Sequence, residues 1–259
     1  MSNNLNIDVT APGKKTKKGG LHIITKSIRE MENIFAKMGF EIFQGVEAEN
    51  EFYNFDAMNV PKDHPARDMQ DTFWIKGLKE TVLRTHTSEA QVRYMEKNKP
   101  PFKIIVPGRV FRNEATDATH EAQFHQLEGL VVGEKISLSH LKTTLLYFLR
   151  QFFENENLEI RIRPGYFPFV EPGIEVDVTC FKCKEKINPK CNVCKGSGFI
   201  EVLGAGMVHP NVLEKAGVDG SKYQGFAFGP GVERLIMLKY GVEDIRDFYD
   251  GDIPFLKQF

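Results

Sequence analysis

The chain has 259 residues, enough for one large domain or two small ones, and its 41% hydrophobic and 27% charged residues are typical of a globular protein. No apolar stretch approaches the roughly 20 residues that span a bilayer, and the N-terminal sequence lacks the apolar core of a secretory signal, so we expect a cytosolic protein that does not bind membranes. A formal net charge of −1 excludes a chain that binds nucleic acid mainly through overall positive charge, so any RNA contact must be local.

Residues 1–20 contain a short basic run. Its lysines are Lys14, Lys15, Lys17 and Lys18, and glycine and proline residues surround them. This composition predicts a flexible N-terminal segment, for which two interpretations stay open. The segment is either a solvated linker or a tail that contacts nucleic acid.

Hydrophobic periodicity predicts the helices. Apolar residues recur every three or four positions over 21–38, and Gly39 follows, which is typical of an amphipathic helix that ends at a glycine. Further helices are predicted over 87–98, 137–153 and 230–241. The first of these has a Thr or Ser cap, and the last opens with Pro230 and ends with Gly241.

Shorter apolar runs predict strands over 81–86, 103–114, 123–133, 158–164, 173–180, 198–206 and 223–229. The stretch 54–77 is rich in proline and aspartate, so we expect an irregular loop with a function of its own. The runs 103–114 and 123–133 flank a short polar segment and predict an antiparallel hairpin. Strands outnumber helices without alternating regularly with them, so the expected fold class is α+β with a large, mainly antiparallel sheet.

The predicted hairpin carries polar side chains on one face of each arm. By the period of two, this face contains Val110, Arg112 and Glu114 in the first arm and Phe124, Gln126 and Glu128 in the second. Burying such charges unpaired costs on the order of several kcal/mol each. The groups therefore either satisfy one another in an internal salt-bridge network or are completed by a bound ligand.

A zwitterionic or phosphorylated ligand would suit these groups. Arg112 would bind an anion, while Gln126 and Glu128 would bind an ammonium group. Phe124 would offer a stacking surface. The glycine-rich turn GFAFGPG leads into helix 230–241, whose first N–H groups are open to an anion, and Arg234 follows one turn later. Two arginines beside turns indicate polyphosphate, although the P-loop pattern is absent.

Several sequence motifs resemble those of a known family. FRNE followed by QFHQLEG resembles motif 2 of class II aminoacyl-tRNA synthetases, and GFAFGPGVERLIML resembles their motif 3. NFDAMNVPKDHPARDMQDTFW, LRTHTSEAQVRYM, YFPFVEPGIEVDV and LGAGMVHPNVL resemble the catalytic α subunits of bacterial phenylalanyl-tRNA synthetases. The resemblance runs from Asn6 to Phe259.

The resemblance implies that 21–259 form a class II catalytic domain, which activates phenylalanine with ATP and then esterifies tRNA(Phe). It implies Mg²⁺ as a cofactor, and a β subunit in an α2β2 assembly as a partner. The family's α subunits begin with a coiled-coil arm that reaches tRNA, and nothing comparable precedes DVTAPGKK in this sequence. Because every pocket residue is present, amino-acid activation is expected to be retained, whereas the lack of the arm is expected to weaken tRNA charging.

Matching the motifs position by position assigns expected roles to single residues. The nucleotide would be bound by Arg112, Glu114, Phe124, Gly231 and Arg234, of which the two arginines are the expected catalytic residues. Phenylalanine would be bound by His86, Ser88, Gln126, Glu128, Phe167, Phe169, Val170, Ala227 and Gly229. Glu201 is the expected Mg²⁺ ligand; the alternative is a solvent-facing strand position.

Four cysteines form two CxxC pairs, Cys180 with Cys183 and Cys191 with Cys194. In a reducing compartment such pairs typically close a tetrahedral zinc site rather than form disulfides. With four protein ligands the zinc would be structural and would tie together an insertion over 180–194. The alternative is a set of reduced, metal-free thiols.

Two other functions stay open at this stage. One is a synthetase paralogue that activates an amino acid for an acceptor other than tRNA. The other is a non-catalytic paralogue that uses the fold as a binding module. Retention of Arg112, Arg234 and Glu128 favours an enzyme, because a binding module has no need of them.

Overall fold

A seven-stranded sheet forms the centre of the chain, whose computed structural model describes residues 10, 13, 19–67, 72–183, 188–191 and 193–259. In chain order the strands are β1 (Glu41–Ile42), β2 (Ala48–Asn50), β3 (Thr81–Leu83), β4 (Phe102–Phe111), β5 (Gln123–Gly133), β6 (Ile160–Phe167), β7 (Val170–Thr179), β8 (Phe199–Val208) and β9 (Gln224–Pro230). The order in the sheet is β1-β4-β5-β9-β8-β7-β6, and β2 pairs with β3 separately. Within the sheet, β1 runs parallel to β4 and the other described pairs are antiparallel, which confirms the expected α+β class.

Helices cover both faces of this sheet. They are α1 (Ile23–Lys37), α2 (Glu89–Lys97), α3 (Leu138–Phe152), α4 (Pro210–Lys215), α5 (Val232–Tyr240) and α6 (Ile253–Leu256), with a 3₁₀ helix at Ile245–Phe248. Helices α1, α3 and α5 share one apolar core with the sheet, and α2 and α4 share a second core. In the part of the chain that the structure describes, no helix is both long and apolar enough to span a membrane.

Strand β5 separates the two cores. Leu127 and Val131 belong to the core of α1, α3 and α5, whereas Leu130 and Val132 belong to the core of α2 and α4. Because side chains alternate along a strand, Phe124, Gln126 and Glu128 face the same way as Leu130. That face of β5 therefore changes from polar to apolar along the strand.

The helix ends confirm most of the predicted boundaries. Gly39 and Gly241 follow α1 and α5 with φ of +81° and +72°, a conformation that favours glycine. Pro230 differs from the prediction: it ends β9, where it pairs with Leu203, and α5 begins only at Val232. The intervening Gly231 is extended, so Pro230 terminates a strand instead of opening a helix.

The structure shortens two predicted strands and gives local order to the predicted loop. The strand expected over 103–114 ends at Phe111, so Arg112 and Glu114 follow β4 instead of lying within it. The strand expected over 81–86 ends at Leu83, because the backbone N–H of Thr85 donates to the side chain of Asn54 instead of a strand. In the loop predicted over 54–77, buried Arg67 forms ion pairs with Glu51 at 3.1 Å and Asp56 at 2.7 Å. Residues 68–71, like the predicted N-terminal lysines, lie outside the described residues.

We expect Gly129→Ala to destabilise the fold. A Cβ at this position would lie 2.1 Å from Cζ of Phe228, whose ring is buried and stacks on Phe35 at 5.4 Å. Overpacking of this kind costs about 1–3 kcal/mol of unfolding free energy, measured by urea denaturation. Gly220→Ala is the control, because its added Cβ meets nothing within 4 Å. Equal stability of the two variants would contradict this packing.

Candidate active site

Two cavities adjoin at Arg112, which contributes to the wall of both. The larger has a volume of about 350 Å³ and the smaller about 160 Å³. The larger lies against the α2 side of the sheet, and the smaller lies between the hairpin loop and the start of α5. A side chain common to both can contact two ligands at the point where they meet.

The structure brings the predicted site residues together in two groups. The larger cavity is lined by His86, Ser88, Gln126, Glu128, Phe167, Phe169, Val170, Ala227 and Gly229. The smaller is lined by Glu114, Phe124, Gly231 and Arg234. The residues expected to bind an amino acid thus separate from those expected to bind a nucleotide.

A buried carboxylate marks the polar end of the larger cavity. Glu128 is 6% exposed, and its Oε2 accepts hydrogen bonds from Oγ of Ser88 at 2.5 Å and from Nε2 of Gln91 at 2.8 Å. Burial raises the pKa of Glu128 to about 7. Ser88 was expected as a possible helix cap, but it makes no side-chain capping bond and binds Glu128 instead.

The sequence interpretation missed Gln91. It lies three residues after Ser88 on α2, so the two side chains share a helical face. That spacing is the signal that would have identified it. Gln126, which was predicted, has a buried Oε1 without a hydrogen-bond partner, so its carbonyl is free to accept from a ligand.

Arg112 is half-buried where the two cavities meet. Its Nε donates to the backbone oxygen of Thr85 at 3.1 Å, and its guanidinium carbon lies 5.0 Å from the centre of the Phe124 ring. Burial lowers the pKa of Arg112. Among the described residues it forms no ion pair with Glu128 or Glu114, so the alternative of an internal salt-bridge network in the hairpin is not observed.

A second polar layer lies behind His86. The His86 ring places Nε2 3.0 Å from the backbone oxygen of Asn54, and burial, followed by the charge of Arg112, lowers the pKa of His86 to about 4. Glu89 is fully buried and accepts from Arg84 at 3.2 Å. Burial raises the pKa of Glu89 to about 8.

Aromatic and small residues form the opposite wall of the larger cavity. Phe167 ends β6 and Phe169 precedes β7, so the two flank a turn. Their rings are nonetheless stacked, with centres 6.0 Å apart. A Cβ at Gly204 would lie 2.6 Å from the Phe167 ring, so this glycine gives the ring its space.

The smaller cavity is bounded by the first turn of α5 and by the hairpin loop. Arg234 points from α5 toward this space and forms no hydrogen bond or ion pair with the residues described. Ile245 lines the same cavity, and its backbone N–H donates to the oxygen of Ala118 in the loop at 3.0 Å. The C-terminal 3₁₀ helix therefore supports the hairpin loop.

Glu201 lies outside the walls of both cavities. Its carboxylate accepts from Arg163 at 3.0 Å and its side chain is 59% exposed. Its charge still acts on Arg234, whose pKa it raises against the larger lowering effect of burial. The structure therefore places Glu201 near Arg234 but not in the wall of the smaller cavity.

The four cysteines converge between β7 and β8. All four are buried, and their Sγ atoms lie within 4.8 Å of one another. The separation is 3.9 Å between Cys180 and Cys191 and 3.4 Å between Cys183 and Cys194. Metal–sulfur bonds of about 2.3 Å in a tetrahedron place the sulfurs about 3.8 Å apart, so this cluster fits a metal ion.

The fold matches a known class of enzymes. The solved structure of pyrrolysyl-tRNA synthetase from Desulfitobacterium hafniense superposes with a TM-score of 0.65 at 18% identity, over 89% of this chain and 74% of that one. At this identity the likeness concerns the fold, which is that of an aminoacyl-tRNA synthetase.

Sequence comparison defines the family. Residues 6–259 match the model of the tRNA synthetases class II core domain (F). The phenylalanine–tRNA ligase alpha subunits of Streptococcus uberis and Staphylococcus carnosus are 57% and 58% identical, over 98% of this chain and 72% and 71% of theirs. The chain therefore belongs to the class II tRNA synthetase core family and, within it, to the phenylalanine–tRNA ligase alpha subunits.

The buried Glu89 predicts a pH dependence of stability. Its pKa is raised from 4.5 to about 8 in the folded chain. The contribution of protonated Glu89 to the unfolding free energy is therefore fully present below about pH 4.5 and is lost as pH rises through about 8. We expect Glu89→Gln to flatten the fall in unfolding free energy between these values, measured by urea denaturation at several pH values. Glu243→Gln, at an exposed glutamate, is the control and leaves the slope unchanged. An unchanged slope in Glu89→Gln would contradict the assignment.

Proposed function

We propose that the chain activates L-phenylalanine with ATP to phenylalanyl-adenylate and transfers the phenylalanyl group to tRNA(Phe). The observation that carries this proposal is the position of Arg112, a half-buried guanidinium that forms no ion pair with the residues described, where an apolar, carboxylate-ended cavity meets a second cavity that contains Arg234. The proposal applies to residues 21–259 as one catalytic domain with an insertion over 180–194. A protein with this function would act in the cytoplasm.

The larger cavity suits phenylalanine at both ends. Glu128, supported by Ser88 and Gln91, would bind the ammonium group, and the free carbonyl of Gln126 would accept a further hydrogen bond from it. Phe167 and Phe169 would contact the phenyl ring, and each edge-to-face contact contributes about 0.5–1.5 kcal/mol beyond burial. Val170, Ala227 and Gly229 close the apolar wall.

Activation requires positioning and charge neutralisation instead of a covalent nucleophile. The carboxylate of phenylalanine attacks the α-phosphorus of ATP, forming a carboxyl–phosphate bond while pyrophosphate leaves. Arg112 would hold the carboxylate and the α-phosphate, and Arg234 would hold the γ-phosphate. Glu114 and Phe124 would receive adenine. The neutral His86 would orient the amino acid without adding positive charge beside Arg112.

Two metal ions complete the proposal. Mg²⁺ is held in such sites by one or two carboxylates and the substrate phosphates, and would neutralise phosphate charge. We keep Glu201 as the proposed Mg²⁺ ligand, although its carboxylate forms an ion pair with Arg163 at 3.0 Å. Zn²⁺ would bind Cys180, Cys183, Cys191 and Cys194 in a closed structural site.

The partners follow from the relatives, which are named as alpha subunits. We propose a β subunit, with an α2β2 assembly, and tRNA(Phe) as partners of this chain. The two earlier alternatives, an acceptor other than tRNA and a non-catalytic binding module, are distinguished by the same assay. The first would show activation without tRNA charging, and the second would show neither.

The test is phenylalanine-dependent exchange of pyrophosphate into ATP, with the chain alone and with a β subunit and tRNA added. We expect exchange, and we expect Arg112→Ala to lower its kcat/KM by about 100-fold, because one preorganised donor at a charged transition state contributes this much. Arg109→Ala is the control, since that exposed side chain pairs with Glu47 away from both cavities. Absence of exchange with every addition would overturn the proposal.

Ala227→Gly is expected to broaden the amino-acid specificity. Ala227 lines the apolar wall of the larger cavity, so removing its methyl group makes room for para-substituted phenylalanines. Apolar pockets discriminate added groups only about 100-fold, so a small change in shape is enough to alter the selectivity. The ratio of exchange rates for para-chlorophenylalanine and phenylalanine measures the effect, with Ala216→Gly, outside the cavity, as control. An unchanged ratio would contradict the assignment of Ala227 to the end of the cavity that receives the para position of the ring.

Zinc binding is expected at one ion per chain. Elemental analysis of the purified chain measures the content, and a chelator should lower the thermal midpoint by removing a folding contribution. Cys191→Ser is expected to lose the metal, whereas Val193→Ala, an exposed neighbour in the same loop, retains it. An unchanged thermal midpoint of the metal-free chain would show that the cysteine cluster is stable without a bound ion.

A further inference from the structure

A buried polar cluster joins three distant parts of the chain below the nucleotide cavity. Glu233, in the first turn of α5, is 1% exposed and accepts from the backbone N–H of His125 at 2.9 and 3.0 Å. Its Oε1 also lies 2.7 Å from Nδ1 of the His125 ring. The hydroxyl of Tyr249 donates to the same oxygen at 2.6 Å. Protein groups therefore satisfy both carboxylate oxygens of Glu233.

This cluster fixes the start of α5 in two ways. Gly231, the residue before the helix, forms a backbone bridge with Gln126 of β5, and Glu233 binds His125, the preceding residue of the same strand. Both contacts lie within the first turn of the helix. They prevent α5 from sliding along β5 or rotating about its own axis.

The orientation of α5 determines where Arg234 points. Successive residues of an α-helix are separated by about 100° around the axis, so holding Glu233 against β5 sets the direction of its neighbour. Arg234 has no hydrogen bond among the described residues that would hold it otherwise. The cluster is therefore the structural element that aims this guanidinium into the smaller cavity.

The C-terminal segment contributes through Tyr249. Burial raises the pKa of Tyr249 well above its usual range, and the charge of Glu233 adds to this effect, so the hydroxyl remains a donor at neutral pH. Tyr249 follows the 3₁₀ helix Ile245–Phe248, whose Ile245 lines the smaller cavity and binds the hairpin loop. Residues 245–249 thus contact both the hairpin loop and the first turn of α5, which border that cavity.

We propose that Glu233, His125 and Tyr249 are positioning residues for ATP, through which the C-terminal segment sets the direction of Arg234 and the affinity for the nucleotide. The inference rests on the proposed function. The three residues do not contact the reacting atoms of either substrate, and they act through Arg234. It predicts a selective effect on the nucleotide, because Arg234 lines the smaller cavity and not the larger one.

The test uses Tyr249→Phe, which removes one hydroxyl and keeps the ring. In pyrophosphate exchange by the chain, with its β subunit if exchange requires it, we expect KM for ATP to rise about tenfold and KM for phenylalanine to stay unchanged, since Glu233 loses one of the hydrogen bonds that hold the start of α5. Tyr147→Phe is the matched control, as that tyrosine is exposed on α3. Parallel rises in both KM values would indicate general loosening and would overturn the inference.

A double-mutant cycle separates positioning from stability. The Kd of ATP, measured by calorimetry without phenylalanine, is expected to rise in Tyr249→Phe and to show no further change when Tyr249→Phe is added to Arg234→Ala. An effect that persists in the Arg234→Ala background would contradict action through that arginine. Glu233→Gln replaces Tyr249→Phe if the latter does not fold. Because calorimetry needs no turnover, a protein that binds ATP with this coupling but lacks exchange would contradict the proposed function alone.

Discussion

The rest of the site depends on one constraint: buried Glu128 and half-buried Arg112 face the same site without an ion pair between them. Charges removed from water are costly unless paired, and breaking such a pair typically costs about 3–5 kcal/mol. Here the carboxylate of Glu128 accepts hydrogen bonds from the neutral side chains of Ser88 and Gln91. Arg112 donates a hydrogen bond to the backbone carbonyl of Thr85. The fold therefore carries a cost that a zwitterion and a triphosphate can offset when they bind.

The rest of the architecture holds these two charges apart. Glu128 lies within β5 and its donors come from α2, while Arg112 follows the end of β4. Behind them, Arg84 donates a hydrogen bond to buried Glu89 at 3.2 Å, so Arg84 has a partner other than Glu128. Gly229 contributes by its size, because a Cβ there would lie 2.8 Å from Cγ of Glu128. The charges stay unpaired because separate elements fix each one.

The sequence predicted the features that depend on local pattern. Periodicity predicted the helices α1, α3 and α5 and the β4–β5 hairpin, and alternation predicted which side chains of β5 share a face. The paired CxxC spacing predicted the cysteine cluster. Motif resemblance predicted two groups of residues, and the structure places those groups in two adjoining cavities, with Glu201 outside them.

The features that the sequence did not predict depend on contacts between distant residues. The bond between His125 and Glu233 joins residues 108 positions apart, and no periodic pattern reports such a distance. Pro230 was assigned to a helix because proline is common there, but pairing with β8 places it in a strand. Ser88 was assigned a capping role that the neighbouring Glu128 overrides. In each case a tertiary contact outweighs a local preference.

Proton release on phenylalanine binding tests the central claim most directly. Burial raises the pKa of Glu128 to about 7 in the free chain, and an adjacent ammonium group would lower it again. Calorimetric titrations at pH 7 in buffers of different ionisation enthalpy are therefore expected to show release of about half a proton per phenylalanine, and none in Glu128→Gln. Binding of phenylalanine without proton release, or equal release from Glu128→Gln, would contradict an ammonium site at this buried carboxylate.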